Sequence, residues 1–426
     1  MDRRKFLSAL AAATGAGVVP AGAFAAPAAP PRGPRVVVLG GGFGGATVAK
    51  YIRLWGPNIQ VTLVERDDKF LCCPMSNRVL AGTMSMHDLE RDYEVLRARH
   101  GIRVIHDAVT DIDAGQRELR LEKGGKLPWD RLVVAPGIDY MYEKVPGLER
   151  AEAQEKVPHA WKAGPQTIAL RKRIQAMPKG GVFALHIPAA PYHCPPGPYE
   201  RATMVAYYLK RANPTAKVLV FDSNPDIVAK KDLFRAVFDR LYKGSIEYVP
   251  NAELRQVDAA NQTLQFEFQG KVKADVINVI PPQRAGVIAR KAGLASDAER
   301  WCDVDFLTYE SRVAKNVHLV GDSIAAAPGM PKSGHMANQQ AKICAAAVVA
   351  LINGQPINDQ PIVTNTCYSF VNDRDVVHVS SVHRYDREKK TMMPVPGAGG
   401  VSKEPSAEEG FMALAWAFNI MNDMLT

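Results

Sequence analysis

Short runs of β-branched and other apolar residues recur along the chain, and each closes on glycine, proline or an acid. Arg35-Val-Val-Val-Leu39 leads into Gly40-Gly41-Gly42-Phe43-Gly44-Gly45 and then the helical pattern ATVAKYIRLW. Gln60-Val-Thr-Leu-Val64 ends at Glu65, and Arg131-Leu-Val-Val-Ala-Pro-Gly137 and Asn316-Val-His-Leu-Val-Gly-Asp322 read as further strand-turns. A weaker copy of the pattern follows in the middle of the chain: a strand over Gly181 to Ile187, a helix over Arg201 to Arg211, and a strand Lys217-Val-Leu-Val-Phe221 ending at Asp222. Strands alternating with helices predict parallel sheets covered by helices. The expected fold is α/β, with two Rossmann-like domains and a C-terminal α+β interface domain. The first domain is expected to be discontinuous, over 35–149 and 286–353. The second is expected over 150–285, and the C-terminal domain over 354–426.

The first glycine run supplies G-x-G-x-x-G through Gly40, Gly42 and Gly45, with Phe43 and Gly44 inside it, between a strand and a helix. In that context glycines allow a tight turn and let backbone N–H groups approach a pyrophosphate at the positive end of the helix. Glu65 stands at the end of the second strand, where a carboxylate accepts hydrogen bonds from ribose hydroxyls and disfavours a 2′-phosphate. The turn at 131–137 resembles the one that closes the nucleotide domain of two-dinucleotide flavoproteins. In that superfamily the aspartate of the later Gly-Asp, here Asp322, binds the ribityl chain of FAD. Three separated segments returning to one site point to FAD. A helix over Ser333 to Asn353, opened by Pro331-Lys332-Ser333-Gly334, would turn its N-terminus to the electron-rich edge of the flavin; plain core packing is the other reading.

The second unit lacks a phosphate loop. Its strand runs into PAAPYHCPPGPYERA (188 to 202), and prolines neither donate N–H groups nor supply positive φ. NAD(P)H is therefore not expected there, and Cys194 occupies the loop that would deliver nicotinamide. A second candidate cysteine is Cys367 in Thr364-Asn-Thr-Cys367-Tyr-Ser. Cys72 and Cys73 are adjacent in Phe70-Leu-Cys-Cys-Pro-Met-Ser-Asn77, Cys344 lies in the apolar ICAAAVVAL, and Cys302 has no evident role. Glu200 and Lys332 are candidates for proton handling or anion attraction, with a surface or ion-pair role as the alternative.

The 426 residues, 47% hydrophobic and 23% charged, are long enough for two or three domains and exclude a disordered chain. The net charge of +9 is spread rather than blocked, which argues against nucleic-acid binding and leaves a general attraction for anions. The N-terminus has a charged start with Arg3-Arg4-Lys5-Phe6-Leu7, a short apolar stretch and Ala23-Phe24-Ala25. It reads as an export signal over 1–25 of the twin-arginine type, followed by a proline-rich linker over 26–34. The expected location is the periplasm, where disulfides persist. No later run is long and apolar enough for a transmembrane segment.

Cys73-x-x-Ser-Asn, PAAPYHCPPGPYERA, VINVIPPQRAG (276 to 286), GDSIAAAPGMPKSGHMANQQAK (321 to 342) and NTCYSF (365 to 370) together resemble the flavoprotein subunit of flavocytochrome c sulfide dehydrogenase, from about residue 35 to the C-terminus. The resemblance implies FAD bonded covalently to Cys73, although the adjacent Cys72 leaves the attachment ambiguous by sequence. It also implies a redox-active disulfide between Cys194 and Cys367 that receives sulfide. With no C-x-x-C-H haem motif in the chain, a cytochrome acceptor would be a separate c-type subunit. Rival readings are a peripheral membrane enzyme like sulfide:quinone oxidoreductase, served by the apolar face of the C-terminal segment from Glu409 to Met421, and a non-catalytic flavin-binding protein.

Overall fold

The computed structural model describes residues 33–295 and 299–426, so the expected export signal and nearly all of the expected linker lie outside the described residues. Along the chain run β1 (Arg35–Leu39), α1 (Phe43–Trp55), β2 (Gln60–Glu65), α2 (Ser76–Ala81), β3 (Arg103–His106) and β4 (Arg131–Val134). The middle supplies β5 (Val182–Ile187), α3 (Gly197–Ala212), β6 (Lys217–Asp222), β7 (Ile246–Val249) and β8 (Val276–Val279). Then come β9 (Val317–Leu319), α4 (Gly334–Ile352), β10 (Ile362–Phe370), β11 (Val376–Asp386), β12 (Thr391–Pro394) and α5 (Ala407–Leu425).

The first sheet has the order β9-β4-β1-β2-β3, and every pairing is parallel. Its strands read as continuous apolar runs because both faces are covered: Val36, Val38, Leu63, Leu132, Val133 and Val134 are all fully buried. The order reverses direction between β1 and β4, and there the loops after the two strands part to leave a crevice at their carboxyl ends. The second sheet, β7-β6-β5-β8, is also parallel and repeats the pattern. The chain passes between the sheets twice, and the two crossings, Ile138–Tyr140 and Gln283–Ala285, pair antiparallel. The third layer is antiparallel, β10-β11-β12, with α5 packed against it.

α3 begins at Gly197, one turn before the helix expected at Arg201, because Pro198 is tolerated in a first turn whose N–H groups have no partner anyway. α4 is capped as its sequence suggests, with the Ser333 hydroxyl accepting from Met336 N at 3.0 Å. α5 buries Gly410, Ala413, Ala417, Met421 and Met424 on one face and leaves Phe411 76% and Phe418 57% exposed on the other. None of the described helices is long and apolar enough to cross a membrane.

Candidate functional site

The glycine loop between β1 and α1 has the shape a pyrophosphate requires. A Cβ on Gly45 would lie 1.7 Å from the carbonyl oxygen of Gly40, whereas one at Gly42 meets nothing within 4 Å. The loop is thus closed on the protein side and open on the crevice side. Glu65 holds it from below: one carboxylate oxygen accepts from Gly41 N at 2.5 Å and the other from Asp67 N at 2.9 Å. Across the crevice, β9 ends in a turn where Gly321 N donates to Gln340 Oε1 at 2.9 Å, which sets Asp322 beside the start of α4.

Asp322 is the charged neighbour shared by Cys73, Cys194 and Lys332. Lys332 is buried, with its ammonium donating to the carbonyls of Asp322 and Ile324 and lying 3.7 Å from the Trp301 ring centre. Burial lowers it to about 8. The adjacent cysteines face different ways. Cys72 is wholly buried in the core, and burial pushes its thiol up to about 12. Cys73 is half-buried, and its Sγ accepts from Ala163 N at 3.4 Å; burial raises its pKa, with Lys162 pulling the other way. The buried Tyr140 hydroxyl, an electrostatic neighbour of Cys73, and Trp161 Nε1 have no hydrogen-bond partner. An open glycine cradle, an acid at the end of β2 and orphaned polar atoms beside the cysteine segments fit the FAD expected from the sequence.

The proline loop turns inward. Cys194 N donates to the carbonyl of Lys332 at 2.7 Å, and His193 N donates to Gln283 Oε1 at 2.8 Å. Cys194 itself has φ 56°, a left-handed backbone that costs a non-glycine residue of order 1 kcal/mol or more. Gly197 makes room for it: a Cβ there would lie 2.8 Å from Cys194 Sγ and 2.7 Å from the Trp161 ring. Asp222, at the end of β6 where a second nucleotide's ribose would bind, is fully buried and accepts from Tyr199 Oη at 2.7 Å, Tyr248 Oη at 2.9 Å and Asn224 N at 2.9 Å. Both halves of a second nucleotide site are therefore spent within the protein.

Strand periodicity puts Asn365, Cys367 and Ser369 on one face of β10, which looks inward. A hydrogen-bond chain reaches the sulfur from the N-terminus of α4: Ser333 Oγ donates to Asn365 Oδ1 at 2.6 Å, and Asn365 Nδ2 donates to Cys367 Sγ at 3.4 Å. Burial raises the Cys367 pKa, while Lys230, Asn365 and Ser333 oppose that rise. For Cys194, burial raises the thiol well above its ordinary value, and Cys367 is its foremost electrostatic neighbour. Both are thiols in this structure, as are the other four cysteines.

Glu200 joins the two cysteine segments. It is buried, accepts from Phe370 N at 3.0 Å and Asn77 Nδ2 at 3.2 Å, and burial lifts its carboxyl to about 7. Asn77 also accepts from Arg201 Nε at 3.1 Å, so this residue behind Cys73 clamps that segment to α3. Two residues had escaped the sequence reading. Arg201 is fully buried, with further hydrogen bonds to His159 O, Ala160 O and Asn278 Oδ1. Lys230 is buried against β10 and β11. Arg201 sits in a helix that periodicity does find, but nothing in the sequence marks Lys230.

Residues 34–172 match the family described as pyridine nucleotide-disulphide oxidoreductase, the class that the two parallel sheets and the glycine cradle define. Residues 167–281 match the central region of the sulfide dehydrogenase [flavocytochrome c] flavoprotein chain, and 359–425 match the flavin-binding region of flavocytochrome c sulphide dehydrogenase. A 45-residue stretch is 62% identical to the "Sulfide dehydrogenase [flavocytochrome c] flavoprotein chain" of Chlorobaculum thiosulfatiphilum, covering 94% of that sequence and 11% of this chain. The chain belongs to the family of flavocytochrome c sulfide dehydrogenase flavoprotein chains. It is also 24% identical over 297 residues to mitochondrial sulfide:quinone oxidoreductase of Mus musculus, a match that spans 67% of this chain and 65% of the mouse protein. Among solved structures, the sulfide:quinone oxidoreductase of Aquifex aeolicus superposes with a TM-score of 0.74 at 20% identity over 92% of each chain, a likeness of fold.

Proposed function

We propose that this protein oxidises sulfide at a Cys194–Cys367 disulfide beside an FAD held through Cys73, and passes the electrons to a separate c-type cytochrome. The observation that carries the reading is the meeting of Cys194 and Cys367, 173 residues apart, in one buried site that also contains Asp322 and Glu200. The glycine loop from Gly40 to Gly45, Glu65, Asp322 and Lys332 would hold the dinucleotide, and the half-buried Cys73 is the better placed of the adjacent pair for a thioether. Bound FAD supplies a two-electron acceptor that can release electrons singly.

Hydrosulfide attacks Cys194 Sγ and breaks its bond to Cys367, which leaves a persulfide on Cys194 and a thiolate on Cys367. Disulfide exchange is fastest when the leaving thiol has the lower pKa. Cys367 meets that condition, since Asn365, Ser333 and Lys230 all favour its ionised form while Cys194 is pushed well up by burial. Glu200, poised near 7, is the buried carboxyl able to exchange a proton at neutral pH beside both sulfurs.

The test is anaerobic addition of sulfide to the flavin-loaded protein and to Cys194→Ser and Cys367→Ser. Wild-type flavin should bleach, and each variant should keep its flavin yet lose bleaching. Full activity in Cys194→Ser would end the proposal. A second reading has membrane quinone as acceptor, favoured by the exposed Phe411, Leu414 and Phe418 on α5. Sulfide-driven reduction of a soluble quinone in preference to cytochrome c, in one assay, would select it.

A further inference from the structure

Lys230 and Lys231 are neighbours with opposite fates. Lys231 pairs on the surface with Asp226 at 2.6 Å. Lys230 has φ 56°, a left-handed turn that sends its side chain inward, and it is only 8% exposed. All three ammonium protons are placed: on the carbonyl of Cys367 at 2.7 Å, Ser369 Oγ at 2.8 Å and the carbonyl of Val377 at 2.9 Å. None of these acceptors is a carboxylate. A buried cation without a bonded anion is costly, and here the costly group packs against the cysteine strand.

The groups that face Lys230 are Cys367 on β10, Glu200 and Cys194 around the start of α3, and Glu409 on α5. Burial lowers its ammonium to about 8, and these four groups oppose the fall, with Cys367 the strongest. Cys367 in turn faces Lys230, Asn365, Ser333 and Glu200.

We propose that Lys230 is a positioning residue of the site: it fixes the backbone that carries Cys367 and supplies the positive charge against which the Cys367 sulfur leaves. The inference rests on the disulfide chemistry proposed above. In that step a bond forms between the hydrosulfide sulfur and Cys194 Sγ as the Cys194–Cys367 bond breaks. The incoming sulfur is oxidised to the persulfide level, Cys367 is reduced, and the single negative charge that entered on hydrosulfide ends on Cys367. Lys230 neither gains nor loses a proton in the step; the thiolate forms beside a cation whose three hydrogen-bond acceptors are neutral.

The experiment is the pH profile of Cys367 alkylation by iodoacetamide in the chemically reduced, flavin-loaded protein, read by peptide mass spectrometry with Cys194 followed in the same digest. In wild type the Cys367 midpoint should lie below that of Cys194. Lys230→Met should raise the Cys367 midpoint by about one pH unit or more, equivalent to roughly tenfold less alkylation at neutral pH, and Lys230→Arg should restore most of it. An unchanged midpoint in Lys230→Met, or equal shifts in the Met and Arg variants, would overturn the proposal. If Lys230→Met does not fold, a wild-type Cys194 midpoint below that of Cys367 overturns it without any variant. Alkylation needs no turnover. A protein with the expected midpoints but no sulfide-driven flavin bleaching would therefore refute the functional reading while leaving only the lysine's effect on the Cys367 thiolate standing.

Discussion

Glu200 holds its proton in the folded chain at pH values where an ordinary carboxyl of pKa 4.5 has lost it, because burial lifts it to about 7. Between those values the folded state binds more protons than the unfolded one, so this group's contribution to stability is full below about 4.5 and fades as pH rises through about 7. Glu200→Gln, which keeps a side-chain oxygen for Phe370 N, should flatten the pH dependence of urea midpoints across that window. An unchanged slope would show that Glu200 does not titrate there. Cys73 carries a second residue-scale prediction. After denaturation and digestion the flavin should remain on the peptide holding Cys73, bonded to that sulfur and not to Cys72, whose thiol is sealed in the core. Free flavin, or flavin on Cys72, would refute the attachment. The candidate cysteines were legible because each lies in a distinctive local string. Lys230 was not, since two lysines in a loop read as solvated, and only the fold brings one of them to a carbonyl 137 residues away.

The elements of the second parallel sheet repeat those of the first, but the positions that would hold a second nucleotide carry prolines and a carboxylate already hydrogen-bonded within the protein. The sequence showed half of this, in the prolines that replace glycines after β5. The other half, the enclosure of Asp222 by Tyr199, Tyr248 and Asn224, depends on side chains from three separate segments and is visible only in three dimensions. NADH and NADPH should therefore leave the flavin oxidised under anaerobic conditions, and rapid bleaching by either would contradict the assignment. The same loop yields a packing prediction. A Cβ at Gly197 would press on Cys194 Sγ and the Trp161 ring, so Gly197→Ala should slow sulfide-driven bleaching by at least about tenfold, because small displacements of a reacting group are kinetically expensive. Its flavin content should stay near that of wild type, since a Cβ at Gly197 meets Trp161 and Cys194 and not the glycine loop between β1 and α1. The C-terminal segment was ambiguous for a physical reason: apolar side chains occur on both sides of α5, and which side meets β10 and β11 is decided by packing rather than by periodicity.

At the scale of the whole molecule, three layers each contribute to the proposed site. The first sheet brings the glycine cradle, Cys73 and Asp322; the second brings Cys194, Glu200 and Lys230; the antiparallel layer brings Cys367. Alternation of strands and helices was enough to anticipate the two parallel sheets, while the antiparallel pairing of the crossings at Ile138–Tyr140 and Gln283–Ala285, far apart in sequence, is not announced by local periodicity. The central claim is that Cys194 and Cys367 form the bond that sulfide opens, and peptide mapping under non-reducing conditions tests it most directly. Protein isolated in air should yield a peptide pair linked through Cys194 and Cys367. After one equivalent of sulfide and rapid alkylation, Cys194 should carry one extra sulfur atom and Cys367 the alkyl group. Two unlinked cysteines in the isolated protein, or the extra sulfur on any other cysteine, would contradict the account.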